Sequence, residues 1–342
     1  MYTVKPITDK NVWDSFVDQI APSTFLHAYA WGEVEEDMGK KIYRVGVFDK
    51  EHLVSVALVS IVRARRGSFV LCPHGPVFSK KPGVDISKVL AAFKGEFKKI
   101  GKQEKCDFIR ICPTLLNTPE NRVLFKNLGF IEAPIHVYSE LSWILDIQPP
   151  AERLLIEMKK NTRYGIRKAE RDGIIIRSGA NAADIELFWK VYSDTAARQK
   201  FVPYSKQYIA AEFARFSATN RARWYFAEYK GEIVSTALII FGKNSAFYHH
   251  GASLHAHSSI TPSEFLQWRI IEDAKLRGCK FYNFWGVVPD EKTNHPWTGL
   301  SNFKKGFGGF AEEYVHAKDY ILSPKYAITY VIETIRRWKR RT

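Results

Sequence analysis

Residues Arg44–Val62 read RVGVFDKEHLVSVALVSIV, and residues Tyr225–Phe241 read YFAEYKGEIVSTALIIF. Each is an apolar run, a charged turn and a second apolar run, the pattern of a β-hairpin. VSVAL at Val54–Leu58 and VSTAL at Val234–Leu238 occupy the same place in both, and Lys230-Gly231-Glu232 makes the second turn. The same order then follows each hairpin: a further strand, a helical stretch, and a short aromatic strand opening at a cysteine. The first such pair is Val84–Gly101 with CDFIRI at Cys106–Ile111; the second is Ser263–Gly278 with CKFYNFW at Cys279–Trp285. A repeated order of elements predicts two tandem α/β (α+β) lobes, each a mixed sheet flanked by helices. The break is expected at Gln148-Pro149-Pro150, where prolines stop the strand LSWILDI. The first lobe is then 1–147 plus 317–342, and the second 148–316. The end of the chain returns to the first lobe as a helix from Pro324, with Ile328, Val331, Ile332, Ile335 and Trp338 at helical spacing.

Composition narrows the class. A hydrophobic fraction of 46% excludes a disordered chain at 342 residues. The longest apolar run, Leu53–Val62, is far below the roughly 18 residues of a membrane span. No signal-peptide pattern opens the sequence, and Cys72, Cys106, Cys112 and Cys279 form no CxxC pair, so a cytoplasmic protein is expected. The formal net charge of +15 calls for an anionic partner.

That charge is clustered. In MKKNTRYGIRKAERDG (Met158–Gly173), Lys160, Arg163, Arg167 and Arg171 recur at three and four residues, which aligns them on one helical face for RNA or a polyphosphate. Tyr164 adds a stacking surface. The C-terminal RRWKRR suits RNA or the inner leaflet of a membrane equally. HHGASLHAH (His249–His257) matches no zinc spacing, so no metal is expected, and His250 or His249 reads as a substrate contact in a cleft. P-loop, G-x-S-x-G and G-x-G-x-x-G motifs are absent, excluding the corresponding nucleotide and hydrolase chemistries.

Four stretches, in order, resemble the FemABX family of peptidyltransferases. They are LHAYAWGEV (Leu26–Val34), NTRYGIRKAER (Asn161–Arg171), FWKVYSDTAARQKF (Phe188–Phe201), and FYNFWGVVPD (Phe281–Asp290) with HPWTGLSNFKKGFGG (His295–Gly309). The resemblance covers nearly the whole chain and, by its length, the FemX type. It implies two acetyltransferase-like (GNAT) lobes without a coiled-coil arm and without coenzyme A or another cofactor. The implied activity moves an amino acid from aminoacyl-tRNA to a stem-peptide amine of a peptidoglycan precursor. It also implies Lys304 as the catalytic cation, with Lys305 as fallback. Trp31, Arg198, Tyr204, His250, Asn283, Trp285, Phe303, Lys305 and Gly308 are expected at the substrates, and Lys160, Arg163, Arg167 and Arg171 at the tRNA. DNA is not among the partners.

The chain departs from the family pattern at Asn283 (Asp in the family), at Tyr204 (often Arg) and at Glu35 or Glu36 (Lys in the FemX type). Two phosphate contacts of a UDP-linked acceptor are thereby missing, which opens a lipid-linked precursor beside it. The general base stays open among Asp290, Glu291, His295 and the substrate's own carboxylate. Two rival readings are an acyl-CoA-dependent N-acyltransferase of the same fold and a non-catalytic RNA- or membrane-binding protein.

Overall fold

A computed structural model describes residues 2–20, 24–65, 67–292 and 294–340, with the Arg340 side chain left out. The chain forms two compact units, one containing Leu26–Glu140 with the residues up to Ile20 and those from Glu313 on, the other Leu141–Glu312 with Phe25.

In the first unit the strands run in the order Tyr2–Pro6, Ile42–Asp49, His52–Ala64, Gly67–Cys72, Phe108–Ile111, Lys318–Ile321 and Ile131–Glu132, with Val77–Phe78 beside His52–Ala64. Gly67–Cys72 and Phe108–Ile111 are parallel, and the helix Ile86–Gln103 makes the crossover between them. Asp85 caps that helix by accepting from the Lys88 N–H at 3.1 Å. Its Val89, Leu90, Phe93, Phe97 and Ile100 fall on one face and fill the core against Val59, Val70 and Ile109. The returning strand is fixed by buried charge. Arg110 Nε and Nη2 donate to Asp319 at 2.7 and 2.6 Å, and Nη2 donates to Glu333 at 2.8 Å. All four cysteines are buried thiols.

The second unit repeats the plan. Its strands run Phe310–Glu313, Leu141–Asp146, Phe281–Gly286, Ser245–Ser253, Glu232–Phe241, Ala222–Tyr229 and Ile175–Gly179. The helix Pro262–Leu276 crosses over between the parallel strands Ser245–Ser253 and Phe281–Gly286 and buries Phe265, Leu266, Ile270, Ile271 and Ala274. VSVAL and VSTAL occupy the second strand of equivalent hairpins, so the duplication read from sequence is the duplication in the fold.

One boundary differs from expectation. The strand Leu141–Asp146, assigned above to the first lobe, pairs with Phe281–Gly286 in the second sheet. The break therefore lies before Leu141, because the prolines end a strand already committed to the second unit. Among the described residues no helix exceeds the 18 of Ile86–Gln103, and none is long and apolar enough to cross a membrane.

Candidate active site at a splayed strand pair

The two parallel strands of the second unit pair only from Ser245↔Phe281 to Phe247↔Asn283, although they continue to Ser253 and Gly286. Past Phe247 they part, and backbone that would otherwise be bonded across the sheet is left for other partners. A register shift on each outer side aims the side chains here. Between Leu238 and Ile239 the pairing skips His249, a bulge that brings consecutive His249 and His250 together. Between Asn283 and Gly286 a second shift leaves Trp285 at φ +67, a costly conformation for a bulky residue. Asn283 holds it: its buried Oδ1 accepts from the Trp285 N–H at 2.7 Å. Asn283, expected at the substrates, is a support for this backbone.

Lys304 comes to this place from the helix Thr298–Lys305. Its ammonium is buried and donates to the Gly286 carbonyl at 2.6 Å, at the end of the splayed strand. Burial pulls it down to about 7. The adjacent Lys305 differs. It donates to Asp290 at 2.5 Å, lies 5.5 Å from the Trp143 ring centroid, and by its hydrogen bond lowers the Asp290 carboxyl. One lysine is desolvated and bonded to a neutral carbonyl; its neighbour is neutralised by an acid.

The glycines after them serve the chain itself. Gly308 and Gly309 have φ of +84 and +94, and a Cβ on Gly309 would lie 2.4 Å from the Ile144 carbonyl oxygen. The Gly308 carbonyl accepts from Trp143 Nε1 at 2.7 Å. At Gly309 the strand Leu141–Asp146 already occupies the approach, whereas at Gly308, expected at the substrates, a Cβ would meet nothing closer than the Glu157 carbonyl at 3.6 Å.

Around the other arm of the splay is a cluster that sequence reading did not find. Glu212, fully buried on the helix Lys206–Ser217, binds His249 Nδ1 at 2.5 Å and His250 Nε2 at 2.9 Å. Burial alone would raise this carboxyl, but the two imidazoles outweigh it and bring it to about 2. Burial lowers His250. The three could together offer one ligand atom each to a metal ion; as they stand, both carboxylate oxygens are satisfied by imidazole nitrogens. Phe25 and Trp285 pack at 4.6 and 5.8 Å from the His249 ring, and Tyr204 edges His250 at 5.4 Å while stacking on Tyr208.

Arg198 donates to the Ser253 carbonyl at 2.9 Å. Ser253, Pro262, Glu264 and Phe303 border a cavity of about 180 Å³, and burial raises the Glu264 carboxyl. Arg198, Tyr204, His250, Asn283, Trp285, Phe303, Lys304, Lys305 and Gly308 thus all belong to the second unit, whereas Trp31 is buried in the first, on the helix Tyr29–Asp37.

The basic helix forms as Lys160–Arg171, with Lys160, Arg167, Arg171 and Tyr164 exposed. Arg163 is otherwise engaged. Its guanidinium donates to the Ile156 carbonyl at 2.7 Å and to Met158, at the end of the helix Ala151–Glu157. A helix end lacks partners for its last carbonyls, and Arg163 supplies one.

Two sheets of one plan, each with hairpins leading to a helix-linked parallel pair, and a splayed pair holding a buried ammonium, define an acyltransferase of the acetyltransferase (GNAT) type. Residues 157–305 match the acetyltransferase (GNAT) domain, and residues 8–123 match the FemAB family. The lipid II:glycine glycyltransferase of Staphylococcus saprophyticus is 32% identical over 405 aligned positions, covering 96% of this chain and 95% of that one. The UDP-N-acetylmuramoylpentapeptide-lysine N(6)-alanyltransferase of Weissella viridescens is 26% identical, with 58% of this chain and 59% of that protein aligned. The crystal structure of FemX superposes with a TM-score of 0.84 at 18% identity, over 97% of this chain and all of that one, which establishes the shared fold. The chain belongs to the FemAB family.

Proposed function

We propose that this protein transfers an amino acid from aminoacyl-tRNA to the stem-peptide amine of a peptidoglycan precursor, forming an interpeptide bridge. The observation that carries the reading is the desolvated Lys304 ammonium at the splay, held on the Gly286 carbonyl. The names of the Staphylococcus and Weissella relatives support the substrate class.

The donor ester is already activated, so the site has to align amine and carbonyl and receive the charge that develops. The amine nitrogen attacks the ester carbon, negative charge gathers on the carbonyl oxygen, and the bond to the ribose oxygen breaks. Lys304 balances that charge at low local polarity. With its value near 7, the Lys304 ammonium also gives a proton to the departing ribose oxygen, and the resulting amine takes up the proton that the attacking nitrogen sheds as the amide forms. Lys160, Arg167 and Arg171 present positive charge to the tRNA backbone, and Tyr164 a stacking surface. The precursor is taken at the inner face of the cytoplasmic membrane when it is lipid-linked.

The test is incubation of the protein with a charged tRNA pool and either lipid-linked or UDP-linked pentapeptide, read by mass spectrometry. An added aminoacyl mass on one acceptor, lost with Lys304→Met while tRNA still binds, supports the reading. Acetyl transfer from acetyl-CoA in place of it, or no product with any acceptor, overturns it.

A further inference from the structure

The C-terminal helix Tyr326–Arg340 is amphipathic with its faces reversed. The side toward the first unit is polar: Thr329 and Glu333 are buried there with Tyr326, whose hydroxyl donates to Asp319 at 2.8 Å while Glu333 accepts from Arg110. At 3.6 residues per turn, Ile328, Val331, Ile335 and Trp338 lie about half a turn away, in a narrow stripe. They are 61%, 55%, 48% and 77% exposed. Charged anchors have taken the inward side, so the apolar stripe faces solvent for about 15 Å.

A stripe of that kind marks an interaction surface. Exposed Arg336, Arg337 and Lys339 sit at its C-terminal end with Trp338. We propose that this helix lies in the interface of an anionic lipid bilayer, with Ile328, Val331, Ile335 and Trp338 among the acyl chains and the basic residues at the headgroups. Three observations favour this occupant. Apolar and basic groups occur on one short helix, as interfacial helices require. A second copy docked on the same stripe with the two helices parallel would bring both sets of cations together. RNA would engage the cations and leave four apolar side chains in water.

The test uses the full chain and sedimentation with vesicles of phosphatidylglycerol and phosphatidylcholine, or of phosphatidylcholine alone, so it needs no turnover and is independent of the proposed reaction. Binding to the mixed vesicles, at least tenfold weaker with Ile335→Asp and with Arg336→Glu/Arg337→Glu, supports the proposal. Transfer to a water-soluble acceptor, where the wild type performs it, stays unchanged in these variants. Equal binding by wild type and Ile335→Asp overturns it. So does a wild-type dimer in analytical ultracentrifugation that Ile335→Asp converts to monomer. Loss of tRNA affinity with unchanged vesicle binding in the arginine double variant also overturns it.

Discussion

Lys304 makes two opposite contributions, and they separate experimentally. For stability, its folded value of about 7 lies below the 10.5 of an exposed lysine. Below pH 7 both states hold the proton, and the folded state bears the full cost of burying it. Between about pH 7 and 10 the unfolded chain binds more protons, so stability rises with pH across that window. Lys304→Met removes the cost. Urea titrations at pH 6 should show the variant more stable by a few kcal/mol, at about 1.4 kcal/mol per pKa unit, with the gap closing toward pH 9. For turnover the same change should cost about 10²–10³-fold, the usual loss on removing one oxyanion donor. A variant both less stable and inactive would identify Lys304 as a structural residue. Glu212 gives the second prediction at this scale. Gln has one acceptor oxygen where Glu212 uses two, so one imidazole must change tautomer to accept from the amide N–H, and the carboxylate charge is lost. Glu212→Gln should cost about 1–3 kcal/mol of stability by chemical denaturation, with turnover falling with it.

Among the elements, the turn that closes the Lys304 helix separates two kinds of glycine. Gly299 is exposed within Thr298–Lys305, and a Cβ there meets nothing within 4 Å. Gly299→Ala should stabilise by about 0.5–1 kcal/mol. Gly309→Ala should destabilise by about 1–3 kcal/mol or more, since it meets both a positive φ and the Ile144 carbonyl. Thermal melts of the pair check both signs. The same scale shows what the sequence could reveal. Hairpins and crossover helices were legible because alternation and three-to-four spacing are local signals, and the two halves repeat them. Lys304 was legible because it lies in a dense motif of one continuous stretch. Glu212 was not: it meets His249 and His250 across 37 and 38 residues, and only a bulge makes two consecutive histidines share one partner. Arg163 looked like its neighbours in the basic stripe, because capping of a preceding helix depends on the angle between two helices, not on spacing.

For the molecule as a whole, the excess of positive charge is divided between surfaces with different demands. Lys160, Arg167 and Arg171 stand on a helix of the second unit whose other face is filled by Thr162, Gly165, Ile166 and Ala169. Their separations of seven and four residues keep them on one side of the helix. Among the described residues no acid pairs with Lys160 or Arg167, and Arg171 is no nearer to Asp172 than 4.0 Å, so this face repels itself unless an anion is present. A nucleic-acid backbone relieves that repulsion by releasing condensed counterions, so binding falls as a power of salt concentration. Each phosphate neutralised on a single strand contributes about 0.7 to the slope of log K against log salt, and on a duplex about 0.9. Replacing all three residues by Ala should therefore flatten the slope for tRNA by about 2 to 3, measured by fluorescence anisotropy between 50 and 200 mM salt. Arg163→Ala should act differently, lowering the melting temperature because the carbonyls of Ile156 and Met158 lose their donor, while leaving the slope near that of the wild type. An unchanged slope in the triple variant would move the tRNA contact away from this helix.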